Sequence, residues 1–213
     1  MFDSSIRRGM RGTVDRISKT IDFPFVTPDR LTVLGFVLGL GSSIAAWNQQ
    51  WASALMLWLV SRIADGLDGS LARRRIKSGN APLSFAGGYL DIVADFAVYS
   101  LFVVGVAHGA GGSLAPFLWV LLAYYLNGTA FLAFSSIGER AGIRLDDGRT
   151  LSFMFGLTEG AETIAIHSLW CLFPGAAGRI AEFWAGAVLI SAAARILQGY
   201  KILRLAGNES GPA

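Results

Sequence analysis

Hydrophobic positions in this chain come in long blocks, broken by short polar stretches, rather than in the alternation of a half-buried strand. Six blocks recur, at residues 31–47, 51–64, 90–107, 114–135, 151–173 and 180–199. With its flanks, each approaches the roughly 20 residues a helix needs to cross a bilayer. Polar residues interrupt the second, third and fifth, which a hydropathy window alone ranks as weak; the reading is still six spans. Ahead of them the period changes. Phe2, Ile6, Met10, Val14, Ile17 and Ile21 recur every three or four residues, with Arg7, Arg8, Arg11 and Lys19 mostly off that stripe. This predicts an amphipathic helix over residues 1–26 lying in the membrane interface. A basic tail held by lipid charge is the plainer alternative. "TPDR" (27–30) breaks the pattern and offers a helix cap, "KSGNAP" (77–82) and "DDG" (146–148) mark turns, and "GNESGPA" (207–213) reads as a tail. No repeat of fixed period and no second soluble unit interrupts the series. The expected architecture is therefore one domain over 1–213: an all-α integral membrane protein with an interfacial helix (1–26), a six-helix transmembrane bundle (30–206) and a tail (207–213).

Composition agrees with a membrane chain: 53% of the 213 residues are hydrophobic and the mean hydropathy is +0.50, beyond ordinary soluble composition. Basic residues then orient it, because Lys and Arg collect in cytoplasmic loops. With six spans, one side receives Arg7, Arg8, Arg11, Arg16, Lys19 and Arg30, then Arg73, Arg74, Arg75 and Lys77, then Arg140, Arg144 and Arg149, and finally Lys201 and Arg204. The opposite connections (48–50, 108–113 and 174–179) hold one, Arg179. Both termini are expected in the cytoplasm. The N-terminal segment has no apolar core beside its charges, which argues against a cleaved signal peptide. A net charge of +3 fits contact with anionic headgroups better than a nucleic-acid partner. The single Cys171 cannot form an internal disulfide.

Four acids stand against this background: Asp65, Asp68, Asp91 and Asp95. If spans two and three are antiparallel helices joined at the "KSGNAP" turn, Asp65 and Asp95 both lie fifteen residues from Asn80, Asp68 twelve and Asp91 eleven. A rise of ~1.5 Å per residue sets both pairs at nearly matched depth. Spacings of three and four put the acids of each helix on one face. A single carboxylate in hydrocarbon costs on the order of 2.5 to 3.5 kcal/mol, and four would also repel one another. Protonation offsets part of that; two divalent cations would neutralise all four. Oxygen donors without nearby His or Cys suit magnesium, manganese or calcium rather than zinc. His108 is expected at the opposite side and His167 deep in the fifth span, both as ordinary packed or interfacial residues. Gly69 and Ala72 share the acids' stripe, Gly87 stands one turn before Asp91, and small side chains there leave room for a ligand or for close helix packing. Arg73 can reach a phosphate in such a pocket. Acids holding metals, an arginine and a small-residue opening make a site for a pyrophosphate or phosphodiester.

These residues carry a resemblance. "DGLDGSLAR" (65–73), followed by "GGYLD" and "IVAD" (87–95), resembles the D-x-x-D-G-x-x-A-R and G-x-x-x-D-x-x-x-D signature of the CDP-alcohol phosphatidyltransferase family, with every specified position present. The motif covers only residues 65–95, though six spans and an N-terminal interfacial helix also fit the family. The resemblance implies that CDP-diacylglycerol donates its phosphatidyl group to a hydroxyl acceptor and CMP leaves. It implies that Asp65, Asp68 and Asp91 are ligands of Mg2+ or Mn2+, two ions per site, with Asp95 facing the second ion and acting as general base. Gly69 and Arg73 resemble contacts to the CDP moiety, alongside Ala72 and Gly87, and Ser84 falls where a small hydroxyl residue contacts the nucleotide. A homodimer is implied too. Two departures stand out. The interval from Arg73 to Gly87 is longer than the family pattern, and "TPDRLT" (27–32), ending in Thr32, carries Asp29 where the family has Asn. Asn can donate a hydrogen bond and Asp cannot; Asp29 either contacts the cytosine or ribose or caps the first helix.

The acceptor side is expected in spans four to six. Glu159 and Glu162 are acids within a span and so are functional candidates; they bind acceptor hydroxyls, bind a cationic acceptor, or pair with Arg195. Arg144 and Arg149 could hold a phosphate on the acceptor, and Asn127 and Thr129 are weaker polar candidates. The rival enzyme is an intramembrane prenyltransferase using Asp-bound magnesium. The rival of another class is a cation transporter, whose acids would spread toward both faces instead of sharing one hairpin.

Overall fold

A computed structural model of the chain describes residues 19–20, 22–23, 25–79, 85–142 and 160–209. Among these the regular structure is all helix: α1 (Pro28–Trp47), α2 (Trp51–Lys77), α3 (Phe85–Ala110), α4 (Ala115–Arg140), α5 (Gly160–Leu172) and, after a single 3-10 turn (Pro174–Ala176), α6 (Ala177–Glu209). Three of these, α1, α3 and α4, are long and apolar enough to cross a membrane, as is the stretch Pro174–Ala206 that contains most of α6. At 27 residues α2 is longer than the roughly 20 needed to cross, but it carries Arg62, Asp65, Asp68 and a basic last turn. Of the expected interfacial helix, residues 1–18 lie outside the described part, as do the turn residues 80–84.

The helix ends follow local chemistry. Thr27 caps α1, its hydroxyl accepting from the Arg30 amide at 3.2 Å, and Pro28 occupies the first turn, where its missing N–H costs nothing. Capping therefore belongs to Thr27. Asp29 stands exposed in the first turn, where a carboxylate still faces the positive end of the helix dipole. At the other polarity α2 ends with Arg74, Arg75 and Lys77 in its last turn. Asp22 fastens the approach to α1 onto that end, accepting from Arg75 Nη2 at 2.7 Å and lying 3.2 Å from Arg74 Nε. Between α3 and α4 the chain turns through Gly111 and Gly112, at φ of 70° and 77°, a region that residues with a Cβ seldom adopt.

Lipid tails are as apolar as Leu, so helices in a bilayer associate through close packing and polar contacts rather than through water exclusion. The buried face of α1 is made accordingly of Thr32, Gly35, Gly39, Ser42, Ser43, Ala45 and Ala46. It packs along both α2 and α3. Toward α2, Ser61 donates to the Gly35 carbonyl at 2.7 Å and Ser42 to the Ala54 carbonyl at 2.8 Å. Toward α3, a Cβ at Gly105 would run into the Ser43 carbonyl. The two acid-bearing helices thus lie against a common third helix, while α4 pairs with α6 and α5 packs on α2.

Where the helices meet, the core is aromatic. Fully buried His167 stacks on Trp170 (4.6 Å between ring centres) and Phe102 (5.1 Å), with Trp58 at 4.7 Å. Tyr124 bridges it to α6: Trp184 Nε1 donates to the Tyr124 hydroxyl at 2.7 Å, and that hydroxyl is 2.9 Å from His167 Nε2. His108 stacks on Trp47 at 3.7 Å. Both histidines thus pack against other rings, and His167 Nδ1 has no hydrogen-bond partner among the described residues.

Candidate active site

One face of α2 carries Arg62, Asp65 and Asp68 at successive steps of three, so each lies about one turn from the next. Facing them, α3 presents Asp91 and, one turn on, Asp95. Carboxylate oxygens of Asp65, Asp68 and Asp91 all lie within 4.8 Å of one another. At that separation and an effective dielectric of about 20, two full charges repel by roughly 3 kcal/mol. Repulsion on that scale calls for a cation or a proton.

The protein supplies partial compensation at both ends. Thr32 of α1 donates its hydroxyl to Asp68 Oδ2 at 2.5 Å, and Asp68 is buried. At the other end Arg62 Nη1 donates to Asp95 Oδ1 at 2.6 Å and lies 3.8 Å from Asp65 Oδ1. Arg62 is buried, over the rings of Trp58 (5.2 Å) and Tyr99 (5.0 Å), and its Nε has no hydrogen-bond partner among the described residues. Of the four expected acids, Asp65, Asp68 and Asp91 converge, and Asp95 adjoins them, in side-chain contact with Asp65 and held by the guanidinium.

The remaining expectations fall as follows. Arg73 is exposed and folds back over Gly69: a Cβ at Gly69 would lie 3.0 Å from Arg73 Nη1. Gly69, Ala72 and Gly87 are partly exposed. Thr32 is engaged with Asp68, and Asp29 is exposed at the start of α1. Glu162, in the first turn of α5, buries an Oε2 with no partner among the described residues, and Asn127 of α4 does the same with its Oδ1; Thr129 is exposed. Ser84, Arg144, Arg149 and Glu159 lie outside the described residues. Arg62 escaped the sequence reading because it falls within the hydrophobic block 51–64. Extending the three-residue step from Asp68 and Asp65 by one more turn would have reached it.

Donor chemistry fits a hard divalent cation: three carboxylates from two helices meet, with neither imidazole nor thiolate among them. Such a cluster, set in an all-helical protein with several bilayer-length apolar helices, defines a membrane-embedded class with a carboxylate site able to hold a metal ion. The comparisons give the family. Residues 25–194 match the CDP-alcohol phosphatidyltransferase family, and the chain belongs to it, as an integral membrane enzyme. Inner membrane protein YnjF of Escherichia coli K12 is 34% identical over 208 residues, covering 96% of this chain and 98% of its own. Archaetidylinositol phosphate synthase of Pyrococcus horikoshii is 30% identical over 170 residues, covering 80% and 82%. The crystal structure of Mycobacterium tuberculosis phosphatidylinositol phosphate synthase with CDP-DAG bound aligns at a TM-score of 0.64 and 18% identity, over 88% of this chain and 93% of that one. At that identity the likeness is one of fold.

Proposed function

We propose that the chain transfers a phosphatidyl group from CDP-diacylglycerol to a hydroxyl acceptor (a polyol, a polyol phosphate or an amino alcohol) and releases CMP, at the site between α2 and α3. The observation that carries the reading is the convergence of Asp65, Asp68 and Asp91 within 4.8 Å, with Asp95 one turn farther along α3. Those acids would hold Mg2+ or Mn2+, two ions where Asp95 also contributes. Bound there, the cations would neutralise the diphosphate and make the departing CMP a better leaving group.

The remaining work falls to the chain itself. Arg73, lying over Gly69, pairs with a phosphate of the CDP group, and the small residues Gly69, Ala72 and Gly87 leave room for it. Asp29 and Ser84 border the nucleotide, and Thr32 acts by fixing Asp68. Asp95 takes the proton of the acceptor hydroxyl as that oxygen bonds to the lipid-side phosphorus; the bond from that phosphorus to the bridging oxygen breaks, and the bridging oxygen leaves on CMP. Glu162 supports an acceptor contact, because its buried Oε2 has no protein partner among the described residues and a hydroxyl or ammonium would satisfy it. Glu159, Arg144 and Arg149 complete this side of the proposal.

The chain is read as one domain with six spans, an N-terminal interfacial helix and both termini in the cytoplasm. Arg30, Arg74, Arg75, Lys77 and Arg140 support this orientation, since antiparallel spans would bring the start of α1 and the ends of α2 and α4 to one side. Homodimerisation rests on the family resemblance. The test is to incubate purified protein in micelles with labelled CDP-diacylglycerol, Mg2+ or Mn2+ and a panel of alcohols. Acceptor-dependent CMP and a new lipid are expected; a folded sample that releases none across a broad panel overturns the reading. Asp95→Asn should lower turnover about a hundredfold or more while retaining CDP-diacylglycerol binding.

A further inference from the structure

Three polar atoms outside the acid cluster share the depth of Asp95. The Tyr124 hydroxyl lies 2.9 Å from His167 Nε2 and accepts from Trp184 Nε1 at 2.7 Å, which ties α4, α5 and α6 at one level. Tyr99 of α3 joins that level, its ring 5.6 Å from His167. Asp95 stands four residues from Tyr99, Asn127 three from Tyr124 and Glu162 five from His167, offsets of about 5 to 8 Å at the rise of a helix. The offsets point the same way. A Cβ at Gly128, next to Asn127, would run into the ring of Phe96, next to Asp95; α5 joins α6 through a single 3-10 turn and so runs against it. On α6, Ser191 falls between Trp184 and Arg195 as Asn127 falls between Tyr124 and Phe131, and Arg195 Cζ is 5.8 Å from the Phe131 ring centre. Ser191 and Asn127 therefore occupy facing stripes.

Asn127 Oδ1, Glu162 Oε2 and Ser191 Oγ are each buried without a hydrogen-bond partner among the described residues, and Ser191 is 1% exposed. Polar side chains within a bilayer ordinarily bond across helices, and an unpaired buried one destabilises the fold. An amide oxygen and a carboxylate oxygen can only accept, so what satisfies them must donate.

We propose that these three oxygens form the acceptor subsite and that the acceptor is an unphosphorylated polyol, one of its hydroxyls at Asp95 and others bonded to Asn127, Glu162 and Ser191. This rests on the phosphatidyl-transfer reading and narrows its acceptor. A phosphate on the acceptor would bring negative charge to a level that already carries Asp95 and Glu162, an arrangement that disfavours it. An amino alcohol concentrates its donors at one nitrogen once its hydroxyl reacts. Oxygens carried on three separate helices suit donors on separate carbons.

The experiment follows CMP release and new lipid from the full chain in micelles with labelled CDP-diacylglycerol and Mn2+. The acceptors are glycerol and myo-inositol, their monophosphates, and serine, ethanolamine and choline. A free polyol should be used with kcat/KM about tenfold or more above its phosphate and above every amino alcohol, the scale of one unmatched buried polar group. Asn127→Leu and Ser191→Ala should each raise KM for that polyol about tenfold and leave KM for CDP-diacylglycerol within about threefold. Both variants should unfold at or above the wild-type temperature, because each removes a buried polar atom that no protein group satisfies. If Asn127→Leu does not fold, the smaller change Ser191→Ala carries the same test. Equal or better use of a phosphorylated or amino acceptor overturns the proposal, as does an unchanged polyol KM with a lowered unfolding temperature, the result expected of residues that only pack helices. CMP release from no acceptor at all overturns the phosphatidyl-transfer reading and this proposal with it, whereas release confined to phosphorylated or amino acceptors overturns this proposal alone.

Discussion

A single methyl group placed at either of two glycines in α2 tests where the CDP group is held. Gly66 and Gly69 both lie within the helix, three residues apart, and Ala at either position should gain the same helix propensity, about 1 kcal/mol. Their surroundings differ. A Cβ at Gly66 meets nothing within 4 Å, whereas at Gly69 it would lie 3.0 Å from Arg73 Nη1, 3.6 Å from Nη2 and 3.7 Å from Cζ. The obstruction is the far end of a flexible side chain, so the fold can yield by moving Arg73 a few tenths of an ångström at little cost in stability. What it cannot keep is the guanidinium over the glycine. Both variants should therefore unfold at or slightly above the wild-type temperature, by about 2 to 4 °C for 1 kcal/mol in a chain of this size. Gly66→Ala should release CMP within about twofold of wild type, while Gly69→Ala should lose about tenfold or more, the value of one charge-assisted phosphate contact. The assays are thermal unfolding in micelles and acceptor-dependent CMP release. If Gly69→Ala turns over like wild type, or Gly66→Ala is equally impaired, Arg73 does not hold the nucleotide phosphate from its position over Gly69.

Two further outcomes follow from contacts around α1. Thr32→Val keeps the side-chain shape but removes the hydroxyl that donates to buried Asp68 at 2.5 Å, so metal-free protein should lose about 1.5 to 3 kcal/mol of stability; saturating Mg2+ should narrow that deficit in thermal unfolding, and an equal deficit with and without the cation would place Asp68 outside the metal site. At Gly105 an added Cβ meets the Ser43 carbonyl and, at 3.1 Å, its Cα, so Gly105→Ala should be destabilising by about 1 to 2 kcal/mol after its gain in helix propensity, whereas Gly186→Ala, with nothing within 4 Å, should be neutral or stabilising on the same unfolding measurement.

How much of this was legible in the chain depends on which coordinate a residue count can measure. Counting outward from Asn80 gives depth along two helices, and at matched depth the structure does bring Asp65, Asp68 and Asp91 together. Depth says nothing of lateral order. A hairpin reading pictures α2 and α3 as direct neighbours, yet both pack on α1. That arrangement had a signal of its own: Thr32, Gly35, Gly39, Ser42 and Ala46 recur every three or four residues, the small-residue spacing that lets a helix approach two others. The hydropathy blocks likewise mark all six described helices, but α2 carries the site's own charges and only 13 residues of α5 are described; length and apolarity alone therefore single out four. Arg62 shows the sharper limit. An acid in an apolar block announces itself because its cost demands an explanation, and the partner that lowers that cost is another charge in the same block, which the first explanation appears to make unnecessary. Two cations balance four carboxylates only while Arg62, three residues from Asp65, is left out of the sum. With Arg62 counted, the acids and the guanidinium sum to three negative charges rather than four, so a first divalent ion leaves one negative charge and a second leaves one positive. A second ion is then more easily accommodated together with a diphosphate than before it, which makes metal stoichiometry in the presence and absence of CDP-diacylglycerol the measurement that separates one resident cation from two.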